Sequence, residues 1–166
     1  IEYGLEQGKV IPVNLNDLSE QLKVEAATFV TLKKGEELRG CIGMLYATRS
    51  LADDVANNSF AAAFHDHRFR PLVTQELEQL AIAISVLSPP ELIYCHSEDE
   101  LLEQLTPSTD GLILREGSYQ ATFLPAVWQS LPDPTDFVQQ LKNKAGLTTD
   151  YWSQEIQAYR YTTETF

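Results

Sequence analysis

Apolar residues alternate with polar or small ones in several short segments, a period of two that is typical of β-strands. We predict a strand over residues 26–32, a turn over 33–37 and a second arm over 38–45, which together form a hairpin. Residues 80–87 predict another strand with apolar side chains on both faces, and two prolines end it.

The second half of the chain carries a further hairpin pattern. Residues 111–116 and 119–124 flank Gly117-Ser118, a pair with the composition of a tight turn. A last strand is predicted over about 155–163.

Helical spacing of apolar residues, together with capping residues, predicts three internal helices. One begins at Ser50 and continues to about His65. A short one follows Ser97, and a third lies between Asp133 and Gly146.

Residues 1–7 have a helical pattern that Gly8 closes. Because this pattern is already under way at Ile1, which is not a methionine, we expect a trimmed N-terminus. The irregular order of strands and helices predicts an α+β fold, with a largely antiparallel sheet and packed helices. A chain of 166 residues is the length of one domain.

The composition narrows the class of partner. Twenty-four acidic residues against twelve basic ones give a formal net charge of −12, so the average surface repels phosphate. We therefore expect no nucleic-acid partner. No apolar run approaches the roughly 20 residues of a spanning helix, so we expect no membrane partner. Two cysteines are too few for a disulfide framework, and we expect a soluble, cytoplasmic protein.

Cys41 is the first candidate for chemistry. Arg39 lies two residues before it, on the same face of the predicted strand, and a nearby guanidinium favours the thiolate that acts as nucleophile or ligand. Gly40 and Gly43 border the thiol on either side, so the backbone can approach another group closely. The alternative is that Cys41 is a small buried hydrophobic residue of a strand.

A second group of candidates follows the helix that ends near His65. His65, Asp66 and His67 offer ligands for a metal or groups for base catalysis, and the alternative is a solvated helix end. Arg68 and Asp66 also suit a structural ion pair.

Arginines supply a candidate anion site. Arg68 and Arg70, if they converge with Arg39, suit a carboxylate or phosphate, because guanidinium binds these groups through a fork of donors. The alternative is a charged loop around a buried Phe69. No phosphate-binding glycine loop and no serine nucleophile elbow occur in the chain.

Several motifs in order resemble the AMMECR domain family over essentially the whole chain. These motifs are Phe29-Val30-Thr31-Leu32, Leu38-Arg39-Gly40-Cys41-Ile42-Gly43, Ala61-Ala62-Ala63-Phe64, Asp66-His67-Arg68-Phe69-Arg70-Pro71-Leu72, Ile84-Ser85-Val86-Leu87-Ser88, Gly111-Leu112-Ile113, Phe123-Leu124-Pro125 with Val127, and Lys144-Ala145-Gly146-Leu147.

The resemblance implies a single domain, residues 1–166, built as two lobes with a cleft between them. It also implies that the protein acts with a Memo-like protein and a radical-SAM enzyme, and it implies no particular reaction. The family motifs are matched by seven candidate residues: Arg39, Gly40, Cys41, Gly43, Asp66, Arg68 and Phe69. His65 and His67 fall where other members often differ, which weakens a mechanism that depends on them.

Two classes of function follow. In one, Cys41 is a catalytic nucleophile or ligand, and Arg39 and Arg68 hold an anionic small-molecule substrate. In the other, which we favour, the same residues hold the two lobes together, and the protein is a binding module whose function lies in its interface with a ligand or partner protein. An exposed Cys41 near both arginines favours the first, and a buried, bridged Arg39 favours the second. We expect no metal and no cofactor.

Overall fold

Eight strands form two antiparallel sheets of four, and helices accompany both sheets. The structure, a computed structural model, describes residues 1–166 and confirms the α+β class. The strands are β1 (Ala27–Lys34), β2 (Glu37–Gly43), β3 (Leu80–Leu87), β4 (Glu91–Ile93), β5 (Gly111–Glu116), β6 (Tyr119–Phe123), β7 (Gln157–Tyr161) and β8 (Thr163–Thr165). The α-helices are α1 (Glu2–Gln7), α2 (Glu20–Lys23), α3 (Leu51–Phe64), α4 (Glu98–Gln104) and α5 (Pro134–Ala145), and the 3₁₀ turns are Leu15–Asp17, Thr74–Gln79 and Pro125–Gln129.

The chain divides into two compact units. The first contains Ile1–Leu87 with Glu164–Phe166, and the second contains Ser88–Thr163. Each unit has its own sheet and its own apolar core. The cleft that the family resemblance implies stays a prediction.

The sheet of the first unit has the strand order β2-β1-β3-β8, so β2 is an edge strand. Its core consists of buried residues from β1, α3 and the segment after α3: Val30, Leu32, Ala62, Ala63 and Leu72. The predicted hairpin is confirmed, but its turn is shorter than expected. Gly35, at φ +61°, supplies the left-handed backbone of that turn, and pairing resumes at Lys34 and Glu37.

The pairing of β1 with β2 contains a bulge at Arg39. Leu32 lies opposite Gly40, whereas Lys33 lies opposite Leu38, so Arg39 is the extra residue of β2. A bulge bends the strand locally and changes the direction of a side chain. The simple alternation along β2 therefore does not determine where Arg39 points.

A buried polar cluster fixes α3 on β1. Ser50 caps α3 as predicted, and its side chain accepts a hydrogen bond from the Asp53 backbone N–H. Asp54, which is 1% exposed, accepts hydrogen bonds from the backbone N–H and hydroxyl of Thr28 and from the amide of Asn58. Arg49 Nε donates to the other carboxylate oxygen of Asp54 at 2.9 Å. All of these hydrogen bonds join residues within the first unit.

The second unit has the strand order β4-β7-β5-β6, with α4 and α5 packed on its core. Trp128 stacks on Phe137 of α5 with ring centroids 3.8 Å apart. The predicted hairpin around Gly117 and the helix between Asp133 and Gly146 are confirmed.

The predicted strands differ from the structure in places. The last predicted strand, over about 155–163, corresponds to β7, and the separate short strand β8 begins at Thr163 and belongs to the other sheet. The three-residue strand β4 and the one-turn helix α2 were not predicted, because segments this short carry too few residues to establish a period. Strand β3 has the predicted bounds, but its apolar side chains are not all buried, since Ile82 is 50% exposed.

None of the helices combines the length and the apolar character that crossing a bilayer requires.

Candidate functional site

The centre of the candidate site is the outer edge of β2 at Cys41. Because β2 is an edge strand, the backbone groups of Cys41 that point away from β1 have no neighbouring strand. Side chains of the segment after α3 take that place. The backbone N–H of Cys41 donates to Asp66 Oδ2 at 2.9 Å, and its carbonyl accepts from Arg68 Nη2 at 3.2 Å.

Asp66 and Arg68 form a two-point ion pair beside that edge. Arg68 Nε donates to Asp66 Oδ1 at 2.9 Å and Arg68 Nη2 to Oδ2 at 2.7 Å. The Asp66 side chain is 2% exposed, whereas the Arg68 side chain is 47% exposed. The hydrogen bonds from Arg68 hold the pKa of Asp66 well below its usual range, and the Cys41 N–H adds to this effect. The predicted structural ion pair between Asp66 and Arg68 is therefore present.

Arg39 is held by a carboxylate that the sequence did not indicate. Its Nε and Nη2 donate to the two carboxylate oxygens of Glu76 at 2.8 and 2.9 Å. Nη2 also donates to the backbone carbonyl of Arg70 at 3.0 Å. The two side chains are only 13% and 18% exposed, and the hydrogen bond from Arg39 is the main reason that the pKa of Glu76 falls to about 2. Arg39 thus connects β2 to both ends of the segment that follows Phe69.

The ring of Phe69 lies close to both arginines. The guanidinium carbon of Arg68 is 5.4 Å from the ring centroid, and that of Arg39 is 5.9 Å away. Both distances fall within the range of cation–π attraction. Phe69 is half-buried in a loop of exposed charged residues. This arrangement resembles the alternative interpretation, a charged loop around a buried aromatic residue.

The thiol of Cys41 is half-buried on β2. Its Sγ lies 3.4 Å from the hydroxyl of Thr31, the residue opposite it on β1. Arg68 approaches the backbone carbonyl of Cys41, and each of the two nearby arginines is already bonded to a carboxylate. A guanidinium whose charge is matched by a carboxylate is less available to an anionic substrate.

The two predicted glycines lie where neighbouring atoms leave no room for a side chain. A Cβ on Gly40 would collide with the backbone carbonyl of Ala62 in α3. A Cβ on Gly43 would collide with Phe29 and with the Thr28 carbonyl. Close packing of α3 and β1 against β2 is thus sufficient to require both glycines.

The two histidines diverge from the rest of the candidate group. His65 and His67 are exposed, and the His65 ring packs edge-on against Phe60 at 5.1 Å. Between them Asp66 turns inward to Cys41 and Arg68. No group of three His, Cys, Asp or Glu side chains is arranged to hold a metal ion.

Sequence reasoning missed Glu76, the carboxylate partner of Arg39. In the structure, Glu76 also accepts a hydrogen bond from the Val73 backbone N–H, three residues earlier, at 3.2 Å. A local contact of this kind is typical of a turn and does not indicate a distant arginine.

The family model described as AMMECR1 matches residues 1–166. The chain belongs to the AMMECR1 family. This result confirms the resemblance carried by the motifs around Arg39 to Gly43 and Asp66 to Leu72.

Relatives within the AMMECR1 family are similar along nearly the whole chain. Protein NEQ441 of Nanoarchaeum equitans is 33% identical over 158 residues, which cover 92% of this chain and 84% of the relative. A Thermotoga maritima protein is 33% identical over 168 residues, covering 100% of this chain and 91% of the relative. The crystal structure of the uncharacterized protein PH0010 from Pyrococcus horikoshii has a TM-score of 0.92 at 32% identity, covering 99% of this chain and 84% of that one.

Proposed function

We propose that this AMMECR1-family protein is a cytoplasmic ligand- or partner-binding module whose binding surface is built on the outer edge of β2 and the segment from Asp66 to Glu76. Its expected partners are a Memo-like protein and a radical-SAM enzyme, as the family resemblance implies. The exposed part of Arg68 beside Cys41 is the expected contact point.

One observation carries this proposal: the Arg39 side chain is only 13% exposed, and Glu76 bridges it at two points. An arginine used in this way fixes the backbone of the Asp66 to Glu76 segment and presents no free charge to a substrate. The Asp66 carboxylate likewise already accepts hydrogen bonds from Arg68 and from the Cys41 N–H. The two ion pairs therefore favour a structural role for these residues, as parts of a rigid surface, over a catalytic role.

The competing function uses Cys41 as nucleophile or ligand, with Arg39 and Arg68 holding an anionic small molecule. It requires that the thiol be indispensable, whereas the binding module requires only that the edge of β2 keep its shape. Replacing the sulfur by oxygen in Cys41→Ser separates the two, because it changes the reactivity and little of the volume.

The test measures binding of the purified protein to the Memo-like and radical-SAM proteins of the same organism by biolayer interferometry. We expect at least one of them to bind wild type and Cys41→Ser with equal affinity. Arg68→Glu should weaken this binding at least about tenfold, because charge reversal at an interface both removes an attraction and adds a repulsion.

The matched control is Arg160→Glu, which alters a partly exposed arginine of the second unit that also has a carboxylate partner, Glu91. Its affinity should equal that of wild type. The proposal fails if neither protein binds, or if Cys41→Ser abolishes binding while circular dichroism shows an intact fold.

A further inference from the structure

Residues 65–70, which follow α3, expose histidine and arginine side chains but no carboxylate. His65, His67, Arg68 and Arg70 are all exposed, and the one acidic residue among them, Asp66, is 4% exposed. The whole chain has twice as many acidic as basic residues, with a net charge of −12. An exposed segment without an acidic side chain is therefore a local departure from the rest of the surface.

The fold causes this departure through Asp66. Its carboxylate is turned inward by the Cys41 N–H and by the Nε and Nη2 of Arg68. Arg68 keeps its Nη1 free of these hydrogen bonds. Arg70 uses its backbone carbonyl to hold Arg39, and no ion pair joins its own guanidinium to a carboxylate. Two guanidinium groups thus retain donors that face water.

An exposed apolar side chain lies three residues after Arg70. Val73 is 51% exposed, and its backbone N–H donates to the Glu76 carboxylate that also holds Arg39. Val73 therefore lies beside the Arg39–Glu76 pair. Apolar side chains bordered by charged ones are the usual composition of a protein-binding surface.

We infer that this surface, defined by Arg68, Arg70 and Val73, binds an acidic segment of a partner protein that also carries apolar side chains. The inference rests on the proposed function and names the class of partner for the same surface. Carboxylates of the segment meet Arg68 and Arg70, and an apolar side chain of the segment covers Val73.

An acidic protein segment fits better than a nucleic acid. A nucleic-acid backbone carries a charge about every 1.7 Å along the duplex, and most of those charges would face the acidic remainder of this protein. A short acidic segment places only a few charges next to the arginines. At physiological ionic strength, screening over about 8 Å limits the repulsion from acidic residues elsewhere on the protein.

The experiment is fluorescence anisotropy with a labelled peptide of alternating glutamate and leucine residues, at an ionic strength of about 0.15 M. We expect saturable binding of the peptide to wild type. Arg70→Glu should weaken this binding at least about tenfold, because the new carboxylate repels the glutamates of the peptide. Val73→Ser should also weaken binding, which a purely electrostatic contact would not require.

The matched control is Arg115→Glu, which makes the same change of charge at an exposed arginine of β5. Equal losses in Arg70→Glu and Arg115→Glu would overturn the inference, because binding would then follow net charge alone. Tighter binding of a single-stranded DNA oligonucleotide than of the peptide would also overturn it, as would no binding of the peptide at all.

The two proposals fail in different ways. If the peptide does not bind but the Memo-like or radical-SAM protein still binds and is weakened by Arg68→Glu, only the acidic-segment inference is wrong. If the peptide binds and neither protein does, the proposed function is wrong in its choice of partners.

Discussion

Arg39 and Glu76 are 37 residues apart in sequence, yet two hydrogen bonds of 2.8 and 2.9 Å join their side chains. This pair attaches the 3₁₀ turn Thr74–Gln79 to β2 and, through the Arg70 carbonyl, fixes the segment between them. A guanidinium and a carboxylate that are both largely buried depend on each other, because either one alone would be an uncompensated charge.

The Arg39–Glu76 pair predicts a loss of stability in acid. The pKa of Glu76 is lowered from 4.5 to about 2 in the folded protein, so the carboxylate favours folding above about pH 4.5. As the pH falls from about 4.5 to about 2, this contribution, at most about 3 kcal/mol, is lost. Urea unfolding at several pH values should show a smaller pH dependence in Glu76→Gln than in wild type.

Glu20→Gln is the control for that measurement, since Glu20 is 89% exposed in its pair with Lys23. Its pH profile should match the wild-type profile. A Glu76→Gln profile as steep as that of wild type would show that Glu76 does not titrate with folding. Asp66 keeps part of the slope in both variants, because its pKa is also lowered.

Gly40 predicts a steric effect. Its missing side chain allows the backbone of Ala62 in α3 to contact β2 directly. Gly40→Ala should cost about 2–3 kcal/mol of unfolding free energy, because the colliding atom belongs to helix backbone and cannot rotate away. Chemical denaturation measures this cost.

Gly35→Ala is the comparison for Gly40, since Gly35 has open space around it and only its φ of +61° disfavours alanine. That change should cost about 1 kcal/mol. Equal costs for the two substitutions would contradict the packing role of Gly40.

Asp66 predicts a local effect on the backbone of Cys41. Asp66→Ala removes the acceptor of the Cys41 N–H, and this N–H faces away from β1. Its hydrogen exchange should accelerate at least about tenfold, the equivalent of one lost hydrogen bond of about 1.4 kcal/mol. Exchange of the Val30 amide in the central strand β1 reports on global stability, so a parallel acceleration there would indicate general unfolding instead.

Local signals in the sequence were sufficient for most of the fold. The turn glycine and the alternation on either side of it predicted the first hairpin, and Ser50 predicted the start of α3. Strand β8 could not be predicted, since its three residues pair with β3 about eighty positions earlier. Such long-range pairing depends on the tertiary fold that brings the C-terminal residues next to β3, and no local sequence pattern encodes it.

The site was predictable only in its outline. The motifs around Arg39 and Asp66 identified the two stretches, and the structure brings Cys41, Asp66 and Arg68 together. The carboxylate partner of Arg39 could not be predicted from the sequence, because no local pattern distinguishes Glu76 from the other acidic residues. The bulge at Arg39 also redirects its side chain, so the assumption that it shares a face with Cys41 has no support in the register.

A buried ion pair in the second unit predicts unequal effects for its two partners. Lys142 is 0% exposed, and its ammonium donates to Glu98 at 2.6 Å and to the Tyr151 carbonyl at 3.3 Å. Glu98→Ala leaves this ammonium buried without a carboxylate and should cost about 3 kcal/mol. Lys142→Met should cost less, because methionine fills the apolar space and Glu98, at 21% exposed, can still reach water.

Urea denaturation of both variants, with Glu103→Ala on the exposed face of α4 as control, measures the difference in unfolding free energy. A larger loss for Lys142→Met than for Glu98→Ala would show that the ammonium itself, through its bond to Tyr151, holds the second unit together.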